Sequence, residues 1–155
     1  DFMQEHGIDG YILNVGGNVK IVGKRPDGDK WKIGIENPKG DEDNPYSEYL
    51  ELDNMSLVTS GSYQRFYTVD GKNYHHIIDP RTGYPTSNSI ASVTVISPVS
   101  LQADALSTAI FVMGKEGLNL LKSFSDTDAL IIFENGDILT SNGFEEKYNL
   151  KLKNN

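Results

Sequence analysis

Along the first ninety residues apolar and polar positions alternate in short runs, the period of strands, and only afterwards does a helical spacing take over. Tyr11–Val15 and Asn18–Val22 flank Gly16-Gly17, a pair suited to a two-residue hairpin turn. Further strands are expected over 31–35, 46–52, 56–60, 64–69 and 74–78, separated by the turn-prone stretches PDGDK, KGDEDNP and Asp70-Gly71-Lys72. Residues 91–97 carry two valines and an isoleucine and read as a buried strand. Residues 102–113 place Leu106, Ile110 and Met113 on one helical face, with Ser100 as the expected N-cap and Gly114 as the stop. A second helix is expected over 115–124. Strands then return at 129–133 and 137–141 around Asn135-Gly136, and the NLKLKNN tail is expected to fray. The opening DFMQEHGIDG reads as the tail of a helix closed by Gly7. Strands and helices are segregated, so the class is α+β, a largely antiparallel or mixed sheet with two helices packed on it.

Composition narrows the chemistry. With 14 Lys and Arg against 22 Asp and Glu, the 155-residue chain carries a net charge of −8, which argues against a nucleic-acid partner. It has no Cys, so thiolate metal sites and thiol nucleophiles are excluded. No stretch approaches the length of a membrane-spanning helix or has a signal-peptide profile.

Three segments hold more polar and glycine residues than packing requires. In NVGGNVK, Asn14 to Lys20, the glycines serve a hairpin turn or let a ligand approach the backbone. The second segment is TSGSYQRFYTVDGKNYHHIIDPRTGYP, from Thr59 to Pro85. Strand alternation puts His75 and His76 on opposite faces, so at most one of them enters a given pocket. Asp79-Pro80 ends the strand, after which Arg81, Thr82 and Gly83 supply a cation, a hydroxyl and a tight turn. That set suits a phosphate, and equally a charged hairpin tip. In the third, QADALSTAIFVMG, Asp104 and Thr108 lie four apart on one helical face. They offer Mg²⁺ two hard oxygen donors, or they complement the helix dipole and bond back to the backbone.

Together and in this order, GYILNVGGNVKIVG, WKIGIENP, LVTSGSYQRFY, YHHIIDPRTGYP, SVTVI and ADALSTAIFVMG resemble the ApbE family of FAD:protein FMN transferases, once described as thiamine-biosynthesis lipoproteins. The resemblance implies a Mg²⁺-dependent enzyme that transfers FMN from FAD to a Thr hydroxyl of a target flavoprotein and releases AMP; some members hydrolyse FAD to FMN and AMP instead. It implies metal ligation by Asp104 and Thr108 and a catalytic role for His76. It places Thr59, Ser60, Gly61, Thr82 and Gly83 in the flavin-nucleotide pocket, with Arg81 beside them. Ser62 and Gln64 stand where the family commonly has acidic residues. Family members also carry an upstream half with a Gly-rich, Lys-containing segment, and an export signal with a lipid-attachment Cys. The chain is therefore expected to be the C-terminal portion of a lipid-anchored, extracytoplasmic protein. Alone it is expected to fold, to bind FAD feebly if at all, to lack transferase activity and to self-associate as a homodimer.

Overall fold

The computed structural model describes residues 2–40 and 42–150. A short helix α1 (Phe2–Glu5) closes with Gly7 at φ 76°. β1 (Tyr11–Val15) and β2 (Asn18–Val22) form the expected hairpin, with φ of 62° and 91° at Gly16 and Gly17, values that favour glycine. β3 (Trp31–Glu36) and β4 (Tyr46–Leu52) pair as a second hairpin, followed by β5 (Ser56–Gly61). β6 (Phe66–Val69) and β7 (Lys72–His75) form a third hairpin, and β8 (Ile78–Asp79) and β9 (Tyr84–Pro85) a minimal fourth. Then come β10 (Ile90–Ser97), α2 (Ser100–Met113) and a 3-10 helix over Gly114–Ser123. β11 (Asp128–Phe133), β12 (Ile138–Thr140) and α3 (Phe144–Lys147) complete the described chain.

The main sheet has the order β1-β2-β5-β10-β11-β12, and each neighbouring pair is antiparallel. The α+β class thus holds. Every residue of β10 is buried because both faces of the sheet are covered. Side-chain alternation sends Val58, Val93, Val95, Ala129 and Ile131 to one face, where Ala103, Leu106, Ile110 and Phe111 of α2 meet them. Leu57, Ile96, Leu130 and Ile132 go to the other, against Ile35, Leu50 and Leu52 of the β3–β4 hairpin and Phe144, Tyr148 and Leu150. None of the described helices is long and apolar enough to cross a membrane.

Several elements differ from the sequence expectation, each for a local reason. The strand expected over 74–78 is broken: β7 ends at His75 because Ile77 turns into the core with Val58 and Phe111. Ser100 is the first helical residue rather than the cap; Val99 occupies the cap position, while Ser100 Oγ donates to Asn18 Oδ1 at 2.7 Å. The second helix is 3-10 rather than α. Its Gly117 lies so close to α2 that a Cβ there would fall 2.8 Å from Ile110 Cα. The tail does not fray at Leu150, which is buried and donates its N–H to Glu145 at 2.9 Å; residues 151–155 lie outside the described residues.

Candidate functional site

Thr59, Ser60 and Gly61 are the last residues of β5, an interior strand of the main sheet on which α2 packs. Alternation sends Thr59 to one face, where its Oγ1 lies 2.8 Å from Thr94 Oγ1, and Ser60 to the other, toward the helix. There Ser60 Oγ lies 2.9 Å from Ser107 Oγ and 3.0 Å from Thr108 Oγ1. Thus the TSG turn and the ADALST helix, 48 residues apart in sequence, meet through hydroxyls. At Gly61 a Cβ would come 2.7 Å from the Tyr63 ring, so a larger residue there would displace that side chain.

Asp104 and Thr108 are both exposed, one turn apart on α2. Asp104 lines a groove of about 490 Å³ with Gly16, Gly17, Lys20, Thr59 and Ser100, so the Gly-Gly hairpin forms one wall of it. Lys20 Nζ is committed elsewhere, donating to the Pro98 carbonyl at 3.0 Å. Among the described residues the Asp104 carboxylate has no hydrogen-bond or ion-pair partner. No three metal-binding side chains cluster among those residues as a protein-only cage. One free carboxylate beside a hydroxyl fits Mg²⁺, which keeps waters and substrate phosphates in its shell and takes few protein oxygens.

The two histidines occupy different environments. His75 is half-buried, its ring edge-on to Phe111 at 5.7 Å. Its Nδ1 accepts from Ile77 N–H at 3.3 Å, which puts the ring proton on Nε2, 3.2 Å from the Thr86 carbonyl. His76 is exposed, with Nδ1 3.2 Å from the Arg65 carbonyl. A carbonyl can only accept, so the neutral ring of His76 carries its proton on Nδ1 and keeps a lone pair at Nε2. His76 hydrogen-bonds Arg65, and among the described residues no hydrogen bond joins it to Asp104 or Thr108. His75 meets α2 at Phe111, seven residues and therefore about 10 Å along the axis from Asp104.

The DPRTG turn is built around Asp79. Its Oδ1 accepts from Arg81 N–H at 2.9 Å, and its carboxylate binds the Arg81 guanidinium through Nε at 3.0 Å and one Nη at 2.8 Å. Hydrogen bonds from Arg81 hold the Asp79 carboxyl below its ordinary 3.8. Arg81 is thereby fixed against Asp79, with much of its charge already answered. Gly83, at φ 72°, and Thr82 both donate their N–H to the Asp79 carbonyl, and Thr82 Oγ1 accepts from Tyr84 N–H at 3.2 Å. The structure therefore divides the expected residues. Thr59, Ser60, Gly61, Asp104 and Thr108 gather where β5 meets α2, while His76, Arg81, Thr82 and Gly83 lie on and after the β6–β7 hairpin.

One group escapes the sequence reading. Glu36 Oε2 accepts from Gln64 Nε2 at 2.7 Å and from Tyr63 OH at 3.3 Å, which ties β3 to the TSG turn. Burial pushes the Tyr63 phenol above its ordinary 10.0, and the Glu36 charge adds to the effect. Gln64 is thereby paired with a carboxylate from β3. Only the charge that ends the apolar run WKIGIE hints at this in the sequence.

The sequence profile of the ApbE family matches residues 1–131. The FAD:protein FMN transferase of Klebsiella pneumoniae is 39% identical over 142 residues, an alignment covering 91% of this chain and 43% of that protein. The FAD:protein FMN transferase of Vibrio cholerae is 36% identical over 146 residues, with 94% and 42% covered. Among solved structures, the ApbE protein of Thermotoga maritima superposes with a TM-score of 0.78 at 38% identity, covering 88% of this chain and 44% of that one. The apo flavinyl transferase ApbE of Pseudomonas stutzeri gives 0.74 at 33% identity, with 94% and 46% covered. The chain spans less than half the length of these relatives. On the family profile and the shared fold together, it belongs to the ApbE family.

Proposed function

We propose that the chain carries part of the active site of an FAD:protein FMN transferase, which moves FMN from FAD to a Thr hydroxyl of a target flavoprotein. The observation that carries this reading is the ring of exposed His76, whose Nδ1 is held by the Arg65 carbonyl while Nε2 has no partner among the described residues. An alcohol is a poor nucleophile, and a neutral imidazole within hydrogen-bond reach removes its proton as attack proceeds. The Thr oxygen bonds to the phosphorus on the FMN side of the pyrophosphate. The bond from that phosphorus to the bridging oxygen breaks, AMP leaves with the oxygen, and the Thr proton passes to His76 Nε2. The name FAD:protein FMN transferase, borne by relatives from Klebsiella pneumoniae and Vibrio cholerae, supports the transfer of FMN from FAD to a protein.

A chain of net charge −8 repels a dianionic pyrophosphate unless that charge is met locally. Asp104 and Thr108 are the residues that would hold Mg²⁺, which when bound supplies charge stabilisation to the transferring phosphoryl group. The Gly16-Gly17 wall lets a ligand backbone or phosphate come close without meeting a Cβ. The test is covalent labelling of an acceptor domain by the whole protein with FAD and Mg²⁺. Replacing the acceptor Thr by Ala is expected to end labelling, and labelling that persists would refute the Thr assignment.

A further inference from the structure

Ser60, Ser107 and Thr108 form a chain of hydroxyls whose proton order is fixed at one end. Ser107 Oγ donates to the Asp104 main-chain carbonyl at 2.9 Å, and a carbonyl cannot return a proton. A hydroxyl has one proton, so Ser107 has none left for Ser60, which lies 2.9 Å away. Ser60 must therefore donate to Ser107. That uses the proton of Ser60, so the 3.0 Å contact to Thr108 is made by the Thr108 proton. Only this polarity, Thr108 to Ser60 to Ser107 to the Asp104 carbonyl, satisfies all three bonds. Ser107 is completely buried and shielded from competing water, whereas Thr108 is exposed.

We propose that Ser107 is a positioning residue that, acting through Ser60, holds the proton of Thr108 toward β5 and leaves its oxygen lone pairs free for a cation beside Asp104. The proposal rests on the reading of Asp104 and Thr108 as metal ligands and adds two residues that touch no metal themselves. Without the buried acceptor at Ser107, the Ser60 proton turns to Thr108 and occupies a lone pair that a cation needs.

Mn²⁺, a paramagnetic stand-in for Mg²⁺, tests this by electron paramagnetic resonance on the whole protein without FAD. Ser107→Ala is expected to weaken Mn²⁺ binding about fivefold, the size of one lost hydrogen-bond preference. Asp104→Ala is expected to abolish binding. Because Ser107 acts through Ser60, the Ser60→Ala/Ser107→Ala double variant should bind no more weakly than Ser60→Ala alone. In turnover, Ser107→Ala should raise the Mg²⁺ concentration for half-maximal rate while leaving kcat at saturating Mg²⁺ near that of the parent. Unchanged Mn²⁺ affinity in Ser107→Ala, or effects that simply add in the double variant, would overturn the relay and leave the metal site standing. Absence of Mn²⁺ binding in the parent protein would remove the metal site and the relay together.

Discussion

His76 is joined twice to Arg65: its main-chain N–H donates to the Arg65 carbonyl at 3.3 Å, and its ring Nδ1 lies 3.2 Å from the same oxygen. One acceptor thus fixes both the strand end and the ring, and Nε2 is left as the open base. His75 spends both ring nitrogens on the protein, at Ile77 and Thr86. The neighbouring histidines therefore differ in what their rings leave open: nothing at His75, and Nε2 at His76.

His76→Ala is expected to lower transfer by roughly 10²–10⁴-fold, the range of a lost acid–base group. His75→Ala is expected to act on stability instead, costing about 1–3 kcal/mol because it strands the Thr86 carbonyl and the Ile77 N–H. Transfer rates together with thermal unfolding separate the two. A large rate loss in His75→Ala at unchanged stability would reverse the assignment.

Asp104→Ala is expected to eliminate Mg²⁺-dependent turnover and leave the unfolding temperature nearly unchanged, since the side chain is exposed and bonds no described residue. The check is activity across a magnesium titration alongside a melting curve. Full activity in the variant would exclude Asp104 as a ligand.

Much of this arrangement is legible in the sequence because it is local. Gly16-Gly17 and the spacing of Leu106, Ile110 and Met113 fix a hairpin and a helix whatever surrounds them. What escapes is set by distance. Glu36 meets Tyr63 across 27 residues, and Ser60 meets Ser107 across 47, with no periodicity to announce either. The helix α3 has four residues, too few for a helical period, and is held by burial of Phe144 and Tyr148. The strand expected over 74–78 breaks because the core claims Ile77, a tertiary demand that overrides alternation. Of the candidate site, the hydroxyl and carboxylate positions on α2 were readable. The pairing of Arg81 with Asp79 was not, because a side chain two residues from its partner can equally turn to solvent.

Acid should expose a second structural dependence. Asp128 is buried and accepts from Lys147 Nζ at 2.8 Å, Tyr148 OH at 2.7 Å and Ser141 Oγ at 3.0 Å. Burial alone pushes its carboxyl up, but the hydrogen bonds from Lys147, Tyr148 and Ser141 together outweigh that and hold it below the ordinary 3.8. A carboxyl depressed by folding adds stability that is fully present above its unfolded value and is lost as pH falls through the folded one. Asp128→Asn is therefore expected to cost about 1–3 kcal/mol near neutrality. Its stability should approach that of the parent as pH falls below 3.8. Denaturant unfolding from pH 7 downward checks this, and curves that stay parallel would contradict it.

The most direct test of the account counts two products in one reaction. The whole protein is incubated with FAD, Mg²⁺ and an acceptor domain bearing a single modifiable Thr, and AMP is quantified beside protein-bound FMN. Transfer predicts one AMP for each FMN fixed on the Thr hydroxyl, with both products falling together in His76→Ala. AMP accompanied by free FMN, with no label on the acceptor, would make the protein a hydrolase of FAD and contradict the proposed transfer.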